Sequence, residues 1–154
     1  MTNTKTIASS WDPNKNLLIT QLSGEVDQSD IVYWEESLQD ALSQIDDHSF
    51  FKIFINIHGF KAIDLDAHKR FRSIIPLTLA QYGWKVGYVD LFEEEARHIT
   101  YTHTRGIRCL AAAHAHQDES KIARYEAEFS RDAEHFFTNP TEAREWIEAY
   151  IPQR

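Results

Sequence analysis

The stretch FFKIFINIHGFKAIDLDAHKRFR, residues 50–72, decides the fold of this chain. It opens as a continuous apolar strand over 50–57, with Phe51, Ile53, Ile55 and Ile57 on one face and Phe50 and Phe54 on the other. A strand that is apolar on both faces belongs in the middle of a covered sheet. Gly59 ends the run and a short loop carries Asp64 and Asp66. A basic amphipathic helix then begins near Asp64, with Ala67, Phe71, Ile74, Ile75 and Leu79 on its apolar stripe. Such strand-to-helix joints are where α/β proteins place working surfaces, because the first amides of a helix lack intrahelical partners.

Working outward, residues 4–10 form a weak strand, the run 11–16 (WDPNKN) a turn, and 17–23 (LLITQLS) a second strand, so a hairpin is expected. After Gly24, Asp27 caps a helix whose inward positions are Ile31, Trp34, Leu38, Ala41, Leu42 and Ile45. Beyond the central segment, Pro76 kinks or splits the second helix, and Gly83 stands where a left-handed C-terminal cap is expected. Residues 84–92 (WKVGYVDLF) read as a strand, with Gly87 marking a bulge or a close backbone approach. The stretch 93–105 mixes signals, and a helix over 93–103 is the expectation. Residues 107–115 form the next strand, and Asp118 opens a helix with Ile122, Tyr125 and Phe129 inward. The last helix, 140–150, has Asn139 as cap, Pro140 at the first helical position and Glu142 three residues after the cap. The expected architecture is one α/β domain over 1–154, a mixed four- or five-stranded sheet flanked by helices.

A chain of 154 residues can bury roughly 70% of its unfolded surface in one core. The net charge of −8 argues against nucleic acid, whose phosphates call for a dense basic face. Cys109 is the only cysteine, so neither an intrachain disulfide nor a cysteine-rich zinc site can form. The stretch MTNTKTIASSW lacks the apolar core of a secretion signal, and no run approaches a membrane span. A cytoplasmic location without membrane insertion is expected.

Candidate binding residues cluster around the central loop: His58, Asp64, Asp66, His68, Lys69, Arg70 and Arg72. Asp64 suits the helix cap, leaving His68, Arg70 and Arg72 to meet a partner or an anion; the plain alternative is a capped helix with a solvated polar face. His114 and His116 share a strand face at a spacing that can hold one metal, with His98, His103 and His135 as further donors. No HExxH motif accompanies them, so a pair at a strand end reaching solvent is the simpler reading, and neither metal nor cofactor is expected. Cys109 shares its expected face with Ile107, Ala111 and Ala113, which places it in the core and leaves no catalytic residue. Neither a GxSxG elbow nor a glycine-rich phosphate loop is present. The aromatics Trp34, Phe71, Trp84, Tyr88, Phe129, Phe136, Phe137, Trp146 and Tyr150 either fill the core or line a cavity for an apolar, lipid-like ligand.

The segments LLITQLSGEVDQSDI, FKIFINIHGFKAIDLDAHKRF and EHFFTNPTEAREWI together resemble the STAS superfamily, in particular its anti-anti-sigma-like (STAS/SEC14-like) bacterial branch. The resemblance runs over nearly the whole chain and implies a mixed sheet flanked by helices. It also implies a non-enzymatic module for protein interaction or small-ligand binding, with the loop after the third strand as the contact region and a homodimer allowed. An apolar-ligand carrier is the alternative, and a small hydrolase the remote one. In sigma-regulating members an aspartate in that loop precedes a phosphorylated serine; Asp64 matches the aspartate, but Leu65 follows it. The resemblance therefore does not carry the phosphorylation switch, and residues 58–68 contain no Ser, Thr or Tyr.

Overall fold

The computed structural model of the chain describes residues 4–153. Residues 1–3, part of the stretch read for a secretion signal, and residue 154 lie outside the described residues. Strands β1 (Thr6–Asp12) and β2 (Leu17–Val26) form the expected antiparallel hairpin, with Thr6 opposite Ser23 and Asp12 opposite Leu17. Helix α1 (Gln28–Ser43) follows under a capping box, in which Asp27 accepts from the Asp30 amide and Asp30 accepts in return. Strand β3 (Phe50–Asn56) and the short β4 (Phe60–Ala62) precede α2 (Leu65–Ala80). The 3-10 turn Val89–Leu91, helix α3 (Glu93–Arg97) and a second 3-10 turn, Thr104–Gly106, lead to β5 (Arg108–Ala115). Helix α4 (Glu119–Phe129), β6 (Glu134–Phe137) and α5 (Pro140–Ala149) complete the order.

The sheet runs β1-β2-β3-β5-β6, antiparallel at β1/β2 and parallel elsewhere, while β4 pairs with the far end of β2. As its two-faced apolar pattern requires, β3 sits in the middle. Phe51, Ile53 and Ile55 join the larger core under α1 and α2, whereas Phe54 faces α5. Trp34 anchors that larger core: it stacks on Phe71 of α2 at 5.7 Å, and Phe71 stacks on Phe60 at 4.0 Å. On the other face Ala111, Ala113 and Ala115 present only methyl groups, and Ala143 and Ile147 of α5 pack onto them.

Five expectations need correction. Residues 84–92 are not a strand. The Gly87 amide donates to Glu134 Oε1 at 3.0 Å and Arg131 donates to the Lys85 carbonyl, while the Val89, Leu91 and Phe92 amides turn back to the carbonyls three residues before them. Gly87 does mark a close approach, since a Cβ there would sit 2.5 Å from the Phe129 carbonyl oxygen. The helix expected over 93–103 stops at Arg97, because the Thr102 and Thr104 amides are taken by Ala80 and Gln81 at the end of α2. Strands β4 and β6 are too short and too mixed in polarity to show an alternating pattern. Pro76 does not split α2; buried Ile74, Ile75, Thr78 and Leu79 hold both sides of it in one helix.

The fifth correction concerns Cys109. Phe51 pairs with Cys109 but Lys52 with Ala111, so Leu110 is an extra residue in β5. That bulge reverses the alternation. Cys109 therefore shares the larger core with Ala112, opposite Ala111 and Ala113, and its thiol is buried as expected. Gly83 ends α2 as expected: at φ 75 it lets its own amide reach the Ala80 carbonyl and the Trp84 amide reach that of Leu79.

Candidate functional site

The parallel strands β3, β5 and β6 end along one edge of the sheet, and chain segments on both sides rise above that edge. The edge is where open α/β sheets bind ligands. Here it forms the floor of a half-open cleft of about 70 Å³. Ile55, Ile57, His114, Ala115 and Phe136 make the floor. Helix α2 contributes His68 and Arg72, one turn apart on the same wall, and α4 contributes Lys121, Ile122 and Tyr125 on another. Tyr88 and Phe92 reach in from the turn after α2.

The apolar part is a ring cluster. Tyr88 stacks on Tyr125 at 5.4 Å and meets Phe92 edge-on at 6.1 Å, while His114 stacks on Phe136 at 4.5 Å. The His114 ring is held from behind, its Nε2 2.7 Å from Glu134 Oε2. Glu134 is wholly buried, and its other oxygen accepts from the Gly87 amide and pairs with Arg131 at 3.1 Å. One carboxylate thus fastens β6, the strand β5 beside it and the turn that delivers Tyr88.

The polar part is basic. Lys121 Nζ lies 5.5 Å from the Tyr125 ring centre and forms no ion pair among the described residues. Burial lowers its basicity, with Asp118 opposing. Arg72 lies over Phe92 at 5.0 Å and spends one terminal nitrogen on Glu95 at 3.1 Å, while its buried Nε has no hydrogen-bond partner. Burial first, then the charges of Lys121 and Arg72, depress His68. Burial and the charges of Lys121 and His58 push His116 down to about 4, against the opposing pull of Asp118. The His116 Nδ1 accepts from the Asp118 amide at 3.0 Å, so in the neutral ring the proton sits on Nε2.

A testable consequence concerns acid. Between pH about 4 and the ordinary 6.5 of histidine, the unfolded chain binds a proton that the folded His116 refuses, so stability falls as pH drops through that window. His68 adds in the same direction. The variant His116→Asn keeps an oxygen for the Asp118 amide and removes the titration. Its melting temperature relative to the native chain should rise between pH about 7.5 and about 5. Parallel pH profiles for the two proteins would show the account to be wrong.

The structure divides the residues singled out in the sequence. His68 and Arg72 line the cleft; His58 does not, although its charge acts on His116. Asp64 caps α2, accepting from the Ala67 amide at 2.8 Å. Asp66, Lys69 and Arg70 face solvent, Arg70 with an exposed Glu35 at 3.6 Å. The loop itself is clamped by Gln117, which accepts from the Gly59 amide at 2.7 Å and donates to the Phe60 carbonyl at 2.9 Å. His114 and His116 do not form a solvent-reaching pair. β5 lies between β3 and β6, and His114 is buried against Glu134. Among the described residues no group of three His, Cys, Asp or Glu could hold a metal. Lys121 escaped notice, although it stands four residues before the inward Tyr125. Of the aromatics weighed as cavity lining, Tyr88 and Phe136 do line the cleft, whereas Phe92 escaped because 84–92 carried the pattern of a strand.

Strand order and flanking helices make an α/β fold that is SpoIIAA-like. The chain superimposes on the crystal structure of an uncharacterised DUF3478-family protein with that fold from Shewanella loihica PV-4. The TM-score is 0.51 and the identity 16%, over 96% of this chain and 98% of the other. No family model matches the sequence, and no curated protein matches it. Among the described residues no helix is long and apolar enough to cross a membrane.

Proposed function

We propose that this chain is a non-enzymatic, cytoplasmic binding module of one domain that holds a small ligand in the cleft at the ends of β3 and β5. The observation that carries the reading is the meeting of an aromatic wall with the half-buried Lys121, which forms no ion pair among the described residues, at the edge where parallel sheets bind ligands. Burying Lys121 and His68 costs stability, and a ligand that answers their charge would offset that cost. The loop after β3 then serves as one rim of the site.

A long apolar ligand fits poorly. A cleft of about 70 Å³ falls well short of the roughly 300–1,000 Å³ of drug-sized pockets. Most of the aromatics are occupied elsewhere: Trp34 and Phe71 in the larger core, Phe137, Trp146 and Tyr150 against each other near α5. The non-enzymatic reading is supported by Cys109, whose buried thiol is pushed far up by desolvation. The lack of hydroxyls in residues 58–68 supports a module without a phosphorylation switch at the loop.

A second reading, a protein partner on the outer loop face, draws on Ile63 and Leu65, which flank Asp64 at 57% and 65% exposure. An amide-resolved NMR titration with a mixture of small aromatic and aliphatic acids, alcohols and amides separates the two. The cleft reading expects shifts at His68, His116, Lys121 and Tyr125 that are lost in the double variant His68→Ala with Arg72→Ala and kept in Asp66→Ala with Arg70→Ala. Shifts confined to Ile63–Arg70, or none, would return the contact to the outer loop face.

A further inference from the structure

We infer that the cleft selects an anion, a carboxylate or phosphate carried on a flat apolar body, with Lys121 and Arg72 meeting the charge and the rings of Tyr88 and Tyr125 meeting the body. The inference deepens the small-ligand reading and rests on it. Its starting point is a contrast of charge. The protein as a whole carries −8, yet no Asp or Glu lines the cleft, whereas Lys121, Arg72, His68 and His116 all do.

The two carboxylates that act on these cations leave donors of both open. Asp118 accepts from the Lys121 amide at 3.1 Å as the cap of α4, and Glu95 takes one terminal nitrogen of Arg72. Neither occupies Lys121 Nζ or the buried Arg72 Nε. Lys121 is partly desolvated without an ion pair among the described residues; beyond burial itself, its charge depresses both His68 and His116, and that of Arg72 adds at His68 alone. An anion beside Lys121 offsets that desolvation and gains charge-assisted hydrogen bonds. The geometry also limits the body. Tyr88, Phe92 and Tyr125 line the cleft with aromatic rings, and about 70 Å³ gives room for a ring-sized body and does not enclose a long chain.

The test is titration of the intact protein, followed by amide NMR, with benzoate, its uncharged isostere benzamide, phenyl phosphate and inorganic phosphate. Benzoate or phenyl phosphate should bind at the amides of His68, Lys121 and Tyr125 at least roughly tenfold more tightly than benzamide, as a charge-assisted pair predicts. Whichever of the two binds assigns the acid head. Lys121→Met keeps the apolar stem and should erase the preference over benzamide, and Lys121→Arg should restore most of it. Circular-dichroism melts establish that both variants fold. Equal binding of benzoate, phenyl phosphate and benzamide at those amides would overturn the anion inference and leave the small-ligand cleft standing. Inorganic phosphate binding as tightly as the aromatic anions would overturn the flat body. Silence of the cleft amides toward all four probes would overturn the anion inference, and the fragment titration above then decides the cleft itself.

Discussion

Glu134→Ala should lower the melting temperature by on the order of 10 °C, the largest effect expected of any single change near the cleft. Its carboxylate is wholly buried and serves three donors: the Gly87 amide at 3.0 Å, Arg131 at 3.1 Å and the His114 ring at 2.7 Å. Removing the acceptor of a buried charged network costs about 3–5 kcal/mol, and the lower end applies here, because His114 stays buried without its acceptor while Arg131, 44% exposed, is answered by water. The damage also reaches the site. The Gly87 turn delivers Tyr88, and His114 forms part of the floor, so both should lose order. Glu134→Gln keeps the shape and one acceptor oxygen and should fall between alanine and the native chain. Thermal and urea melts measure both variants. An alanine variant that melts within about 2 °C of the native chain would mean that water replaces the carboxylate without loss.

Trp34→Ala should cost about 3–5 kcal/mol, as expected for emptying a large, fully buried aromatic site. The indole does two jobs. Its ring supports Phe71, and through Phe71 helix α2, while its N–H donates to Thr20 Oγ1 at 2.7 Å. That hydroxyl belongs to a chain in which Ser9 links Thr20 and Ser37, so the variant also leaves a buried donor–acceptor set one member short. Trp34→Phe keeps most of the stack and loses only the hydrogen bond, at about 1–2 kcal/mol. Because Phe71 lies between His68 and Arg72 on α2, Trp34→Ala should broaden the amide signals of that helix and weaken whatever the cleft binds. Urea unfolding together with α2 line widths tests both claims. A loss under about 1 kcal/mol would show that the core repacks around the void.

The elements legible in the sequence share one property: their signal is local. Asp27, Asp64, Asp118 and Asn139 cap helices as expected because a side-chain oxygen two or three residues ahead of a free amide has little else to bind. Gly83 and Gly87 were legible for a similar reason, one needing positive φ and the other leaving no room for a Cβ. The segments that misled are those whose partners lie far along the chain. WKVGYVDLF has the composition of a strand, but its Lys85 carbonyl and Gly87 amide are answered by Arg131 and Glu134, more than forty residues away. TYTHT alternates like a strand and contributes a single bridge, His103 to Tyr82.

The same division holds for the candidate site. The loop and the first turns of α2 stood out by composition, and two of their cations, His68 and Arg72, do line the cleft. The opposite wall could not be read from the chain, since Lys121 looks like any solvated helix lysine until β5 and α4 bring it over the sheet edge. By itself the sequence determined the α/β class, the central strand, the helix starts and a strongly acidic surface, because periodicity, capping and charge act within a few residues or over the whole chain. Tertiary structure alone decided the strand order, the bulge that turns Cys109 into the larger core, and the basic cleft inside an acidic protein. Those features arise from the parallel crossings that bring β3, β5 and β6 to end on one edge, and with them side chains that no local pattern relates.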